Sequence, residues 1–402
     1  MTDLVEGDRV EVVVGAPAHG GHCVARIGGP HGQVVFVRHA LPGERVTVEI
    51  TELHRGYLRG DAVEVHEAAP DRVTPPCPYA RPGACGGCDL QHVAEDAQLA
   101  WKTAVVSEQL SRLAGFTDDE IDRLGVRVER LPGGTLGWRT RIRYTVDAAG
   151  RAGLLQHRSH QVVPIDRCRI AHPTLQALDL TTRHWPTEST VEAVASTGGD
   201  VTVRSDRVLT GPAEVTELAA GRRWQVPAEG FWQVHPDAAD TLVSAVLDLL
   251  RPAPGETAWD LYGGAGLFAA ALAGRTSARV TVVESAPLGV AAARTNLADL
   301  PGVEVVPARV ETALARRRIT GPVDLVVLDP PRSGAGAAVV RAVVAAAPRA
   351  VAYVACDPAA LARDLATFAR SGWRTVELRA FDLFPMTQHI ECVALLTPAD
   401  PP

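Results

Sequence analysis

The sequence predicts an α/β protein: a doubly wound parallel sheet at the C-terminal end, behind a small OB-like β-barrel and a central β-rich region. Three observations point to it. Residues 5–66 alternate apolar and polar positions in short runs ("DRVEVVV", "HCVARI", "QVVFVRHA", "ERVTVEITEL") broken by Gly, Pro and His, the pattern of barrel strands half buried against a core. Residues 125–228 return to β character in "WRTRIRYTVDA", "HQVVPIDRC" and "DVTVRSDRVLT". From about residue 229, apolar strands alternate with helical stretches, as in "TAWDLYGGAGLFAAALAG" and "VDLVVLDPP". That alternation builds a parallel sheet covered on both faces.

A chain of 402 residues suggests two or three domains. We divide it at 1–66, 67–228 and 229–402. The helical stretch 94–116, ended by Gly115, belongs to the second segment, with the option of packing on the third. No apolar run approaches the ~20 residues of a membrane helix, and "MTDLVEGDRVEVVV" has no basic region followed by an apolar one, so it is not read as a secretory signal. A cytoplasmic monomer is the expectation. Lysine occurs once, at Lys102, and the net charge is −7, which disfavours non-specific nucleic-acid binding by the whole surface. Between Arg139 and Arg169, seven arginines stand against Asp147 and Asp166. This stretch is either a local nucleic-acid face or a solvated strand surface.

Ligands of such sheets sit outside the carboxyl ends of the strands. "DLYGGAGLF" places Asp260, Gly263, Gly264 and Gly266 where a strand turns into a helix, and "RVTVVE" ends its neighbour in Glu284. An acid there suits the two hydroxyls of a ribose. A P-loop lysine and G-x-G-x-x-G spacing are both missing, so a phosphate ligand is disfavoured and S-adenosylmethionine fits better. The bland alternative is a close-packed turn beside a helix-capping acid.

"VDLVVLDPPRSG" ends a further strand in Asp329, and "AVAYVACDP" ends its neighbour in Cys356. A lone cysteine is most often a buried small hydrophobe. Here Asp357 is a good N-cap, Pro358 suits the first helical position and Gly372 ends the helix. Cys356 therefore lies at a helix N-terminus, which favours thiolate, although Asp357 opposes it. "DLFPMTQHIECVALL" puts Glu391 at the start of a last strand, with Cys392 on the opposite, core face. Thiolate, carboxylate and methyl donor in one crevice suit methylation at carbon 5 of a uracil. Cys356 would add to carbon 6, and Glu391 would remove the carbon 5 proton.

These segments, with "CPYARPGACGGCDLQH", "SHQVVPIDRC", "GFWQVHP", "DPPR" and "YVACDPAALARDL", resemble the RNA 5-methyluridine methyltransferase family over nearly the whole chain. The N-terminal stretch is similar to the TRAM barrel, an RNA-binding module. The resemblance implies a Rossmann-like class I methyltransferase domain, Cys356 as nucleophile and Glu391 as proton acceptor. It implies cofactor contacts at Gln233, Tyr262, Glu284 and Asp329. It also implies a [4Fe–4S] cluster on Cys77, Cys85, Cys88 and Cys168. Four thiolates suit structural zinc equally, and only the resemblance favours iron–sulfur; Cys23 matches no ligand position and is read as packing. A TRAM barrel with a cluster resembles the enzymes acting on 23S rRNA, which we favour over tRNA. Cytosine-C5 methylation, a radical methylthiotransferase and a non-catalytic RNA-binding protein are the competing readings. Glu391, the cysteine spacing and the intact Cys356–Glu391 pair count against them in turn. The chain departs from the family at Gly263 (usually Cys), Leu267, His235 (usually Asn), Ala355 (usually Ser) and Asp357 (usually Asn). It also has a longer gap from Cys77 to Cys85, and "VVPARVE" lacks an acid often found there.

Overall fold

A computed structural model describes residues 4–187 and 189–399. Strands β1 (Arg9–Ala18), β2 (His22–Ile27), β3 (Gln33–Arg38), β4 (Arg45–Leu53) and β5 (Leu58–Glu67) close a barrel in the order β1-β2-β3-β5-β4. Four of these are the alternating runs of the sequence. In the fifth, "LRGDAVEVHE", the inward position at Gly60 has no side chain, and a Cβ there would lie 2.6 Å from the Glu49 carbonyl oxygen. Val12, Val35, Val48, Ile50 and Leu58 fill the interior, and Cys23 is buried among them as packing.

Helix α1 (Glu95–Gln109) runs on through a π-turn to Ala114 and stops at Gly115, whose φ is +78°. A short α2 (Asp118–Leu124) follows. Its capping box of Thr117 and Glu120 satisfies the first backbone N–H groups. This stretch leaves the central region: β6 (Val128–Arg130) joins the edge of the C-terminal sheet. The central sheet comprises β7 (Arg141–Val146), β8 (Ala152–Leu155), β9 (Val162–Pro164), β10 (Thr190–Ala195), β11 (Val201–Ser205) and β12 (Arg207–Thr210), in the order β12-β11-β10-β7-β8-β9. The short helix α3 (Pro173–Gln176) interrupts it in sequence, and the hairpin β13 (Glu214–Ala219) and β14 (Arg222–Pro227) leads to the C-terminal region.

There α4 (Ala238–Leu250) precedes β15 (Ala258–Leu261), α5 (Leu267–Thr276), β16 (Val280–Glu284), α6 (Pro287–Asn296), β17 (Val303–Pro307), α7 (Val310–Ala315), β18 (Leu325–Leu328), α8 (Gly336–Ala345), β19 (Ala350–Ala355), α9 (Pro358–Arg370), β20 (Trp373–Asp382) and β21 (Glu391–Pro398). The sheet order is β17-β16-β15-β18-β19-β21-β20-β6. The expected parallel sheet is thus extended by β21, which runs antiparallel to both neighbours. β18 and β19 are buried at every position, as strands covered on both faces must be. One apolar core runs from the barrel through Trp101 and Val105 of α1 and Leu110 of the π-turn after it to one face of this sheet. Lys102 of α1 is fully buried and donates to Asp382 Oδ1 at 2.5 Å and to the Phe384 carbonyl at 3.2 Å. A charge is tolerated at such depth only when paired in this way. Among the described residues no helix is long and apolar enough to cross a membrane.

Candidate active site

The strand ends of β15, β16, β18 and β19 open into one cavity of about 1240 Å³, and Gln233, Tyr262, Glu284, Asp329, Cys356 and Glu391 all line it. The sequence places these six far apart; the fold brings them to one mouth.

One half of the cavity is built by the turn after β15. Tyr262 sits in the left-handed region at φ +67°, as do Gly264 and Gly266, and a non-glycine residue held there stores strain of roughly 1–3 kcal/mol. A Cβ on Gly263 would meet Val282 Cγ1 at 2.5 Å, which accounts for glycine at that departure from the family. Glu284 holds the turn in place, since its carboxylate accepts from the N–H groups of Gly264, Ser285 and Ala286. Buried Asp260 accepts from the Ala269 N–H at 2.8 Å, while its Oδ1 has no partner. Burial pushes Asp260 up to about 7, with Glu284 adding to the shift; burial and the charges of Asp260 and Glu284 push Asp329 to about 7. Glu284 and Asp329 line this half of the cavity with Asp260 buried behind them, an accumulation of negative charge that a cationic ligand relieves. A sulfonium with an amino-acid tail and a ribose fits them.

The other half carries the reactive groups. Asp357 caps α9 by accepting the Ala360 N–H at 2.7 Å, and Pro358 takes the first helical position, as the sequence indicates. The expected activation of Cys356 is not what the surroundings produce. Burial, then the carboxylates of Glu391 and Asp329, push the thiol up to about 12, while Arg332 opposes them. Helix-end polarity is worth at most a few kcal/mol and is outweighed. Glu391 is buried and raised well above the ordinary carboxylate range, by burial first and then by Asp329, again opposed by Arg332. Arg332, present in "DPPR" but given no role from sequence, is the cation that faces both groups. It donates to His389 Nε2 at 3.3 Å, and burial followed by the Arg332 charge keeps His389 neutral, near 4.

An aromatic wall completes this half. Trp138 stacks on His235 with centroids 6.0 Å apart and meets Phe384 edge-on. Trp138 was read from sequence only as part of a strand, because nothing local marks a tryptophan that reaches a site. The loop after Asp329 is tied down by Asp364 of α9, whose Oδ2 accepts from Tyr353 Oη at 2.6 Å and from the Ala335 N–H at 2.8 Å.

Cys77, Cys85, Cys88 and Cys168 approach one another closely enough for their charges to interact. Backbone N–H groups of Gly87, Ile170 and Ala171 are directed at the sulfurs of Cys85 and Cys168. Burial pushes Cys85 to about 11 and raises Cys88 and Cys168. Among the described residues, no group of three or more His, Cys, Asp or Glu side chains has metal-holding geometry. The donor chemistry therefore suits a thiolate-bound group, but the shell is not closed.

The expected basic face between Arg139 and Arg169 is largely neutralised. Arg141 pairs with Glu217, Arg143 with Glu192, Arg151 with Asp147 and Arg158 with Glu52. Arg139 instead lines the cavity.

A TRAM-domain family model matches residues 4–63, and one described as tRNA (uracil-5-)-methyltransferase matches residues 320–399. An uncharacterized RNA methyltransferase of Streptomyces avermitilis is 49% identical, covering 98% of this chain and 99% of its own. Another, from Bifidobacterium longum, is 39% identical over 97% of each chain. The crystal structure of Pyrococcus abyssi tRNA (uracil-54, C5)-methyltransferase in complex with S-adenosyl-L-homocysteine shares the fold. Its TM-score is 0.71 over 96% of this chain and 99% of that one, at 22% identity.

Proposed function

The chain belongs to the RNA (uracil-5-)methyltransferase family, and on that premise we propose that it methylates carbon 5 of a uridine in structured RNA through a covalent bond from Cys356 to carbon 6. The observation that carries this reading is the presence of Cys356 and Glu391 in one cavity with the carboxylates of Glu284 and Asp329.

S-adenosylmethionine, the family's methyl donor, supplies a methyl group on a positively charged sulfur when bound. Glu284 is suited to the ribose hydroxyls, Tyr262 and Gln233 to the walls of the same half, and Asp260 and Asp329 to the positive charge. The target uridine must leave its stack to reach Cys356, and the cavity has room for it beside the Trp138–Phe384 wall. The Cys356 thiol first gives its proton to solvent, and the thiolate sulfur then bonds to carbon 6 as the C5–C6 double bond opens. The electron pair displaced onto carbon 5 would take the methyl group as the bond from methyl to the donor's sulfur breaks, leaving S-adenosylhomocysteine. Glu391, as carboxylate, removes the carbon 5 proton, the S–C6 bond breaks and the ring double bond returns. Arg332 favours the ionised forms of both Cys356 and Glu391.

The barrel supplies an RNA-binding module. Of the candidate substrates we favour 23S rRNA. The second reading, the T-loop of tRNA, draws support from a tRNA enzyme that shares the fold along almost the full chain, so the barrel and central region do not by themselves select rRNA. Cys77, Cys85, Cys88 and Cys168 are proposed to hold a [4Fe–4S] cluster, which would tie the segment before α1 to the central sheet and takes no part in the steps above. Nucleoside mass spectrometry on rRNA and tRNA from a deletion strain, mapped to position, tests the assignment. Loss of 5-methyluridine at one 23S site supports it, loss in tRNA selects the second reading, and unchanged 5-methyluridine overturns both. Anaerobically purified protein without an iron–sulfur absorption band would refute the cluster.

A further inference from the structure

The barrel is more than an appendage to the cavity. Its β1–β2 turn, His19-Gly20-Gly21, reaches both strand ends that carry the reactive pair. On one side His19 Nε2 lies 3.0 Å from Asp357 Oδ2, with both side chains partly buried. The other Asp357 oxygen caps α9, so the carboxylate joins the turn to the helix that begins beside Cys356. On the other side Gly21, at φ +75°, packs so closely that a Cβ would lie 2.7 Å from Asp89 Cβ and 3.1 Å from Gln388 Cβ. Asp89 accepts the Gln388 N–H at 3.2 Å and is held by Arg38 of β3 at 3.3 Å. The N–H groups of Asp89 and Leu90 both donate to the Met386 carbonyl. The loop leading into Glu391 is therefore fastened to the barrel as well.

We propose that this turn is a positioning part of the catalytic centre, with His19 Nε2 donating across the domain boundary the hydrogen bond that offsets the negative charge of an aspartate standing next to Cys356. An asparagine at this position would need no such partner, because it caps a helix without adding a negative charge. An unopposed Asp357 carboxylate would add to those of Glu391 and Asp329 against the thiolate. The other charged or titratable groups around Asp357 are Arg363 on its own helix, Cys392 of β21 and His389 of the preceding loop. Cys356 is faced in addition by Arg332. His19 is thus a positioning residue that acts through Asp357. The inference rests on reading Cys356 as the nucleophile.

The test compares full-length wild type with His19→Ala, His19→Gln, Asp357→Asn and the His19→Ala/Asp357→Asn double variant. Two quantities are measured: the pH profile of Cys356 alkylation by iodoacetamide, followed on its peptide by mass spectrometry, and kcat and KM for RNA methylation. Loss of a hydrogen bond of this kind is expected to change the rate about three- to tenfold. His19→Ala should slow alkylation at neutral pH by that factor and lower kcat to match, with KM for RNA unchanged. His19→Gln, whose amide can still donate to Asp357, should slow alkylation less than His19→Ala. Asp357→Asn alone should react at least as fast as wild type, and in the double variant it should restore the rate. Unchanged alkylation in both His19 variants, a change in KM alone, or no rescue by Asp357→Asn would overturn the proposal. Wild-type methylation that survives Cys356→Ala would instead overturn the nucleophile reading and leave the alkylation result standing.

Discussion

Ala355 pairs with Cys392 at the end of the ladder between β19 and β21, and Cys356 and Glu391 stand one step beyond that pair, where both line the cavity. Opposed positions lie about 4.5–5.5 Å apart at Cα, close enough for both side chains to act on one ring. Glu391→Gln should therefore slow release of the RNA adduct by roughly 10²–10⁴-fold, leaving a denaturation-resistant protein–RNA band. Cys356→Ala should form no such band and no 5-methyluridine.

Because burial and neighbouring carboxylates push Cys356 to about 12 and raise Glu391 well above the ordinary carboxylate range, the thiol rests protonated near neutrality, and both groups are needed ionised. Adduct formation should climb across pH 6–9, by about tenfold per unit where a single proton limits it. Arg332→Gln should move the climb to higher pH, since the cation favouring both ionised forms is lost. A profile that falls above pH 7 would contradict this arrangement.

Asp260 and Asp329, both near 7 without ligand, bear on cofactor affinity. A bound cation favours their ionised forms, so affinity for S-adenosylmethionine should weaken as pH falls below about 7, and binding there should release protons. S-adenosylhomocysteine lacks the sulfonium charge, and its affinity should vary less. Calorimetry in two buffers of different ionisation enthalpy measures the proton release, and Asp329→Asn should reduce it.

Gly263→Ala places a methyl group against Val282 Cγ1. Overpacking of this kind costs about 1–3 kcal/mol, to be read as a lower unfolding temperature and weaker cofactor binding. Val282→Ala in the same chain should recover most of the loss. An unaffected Gly263→Ala protein would show that the turn yields freely.

Much of this site was legible because its signals are local. A strand end followed by Asp-Pro marks the start of α9, and acids at strand ends mark the cleft. What escaped the sequence depends on contacts between distant segments. The three residues "VER" of β6 are too few to show a period, yet they extend the C-terminal sheet. The elevated Cys356 thiol depends on Glu391, 35 positions further along and buried only once β21 pairs with β19. The arginines of the central sheet read as a charged face, because the acids that pair with them come from β4, β10 and β13. His19 and Asp357 stand 338 residues apart, and neither residue alone signals the other.

The chain has a single lysine, and it is sealed at the junction of α1 with β20. No lysine side chain therefore offers an amine to reagents on the outside of the folded protein. Acylation of Lys102 becomes a clock for the opening of that one junction, reporting how often the segment that leads toward Glu391 comes free of α1. Slow acylation in the ligand-free protein, slower still with S-adenosylhomocysteine and RNA bound, would measure how firmly the resting molecule keeps its proton acceptor in place.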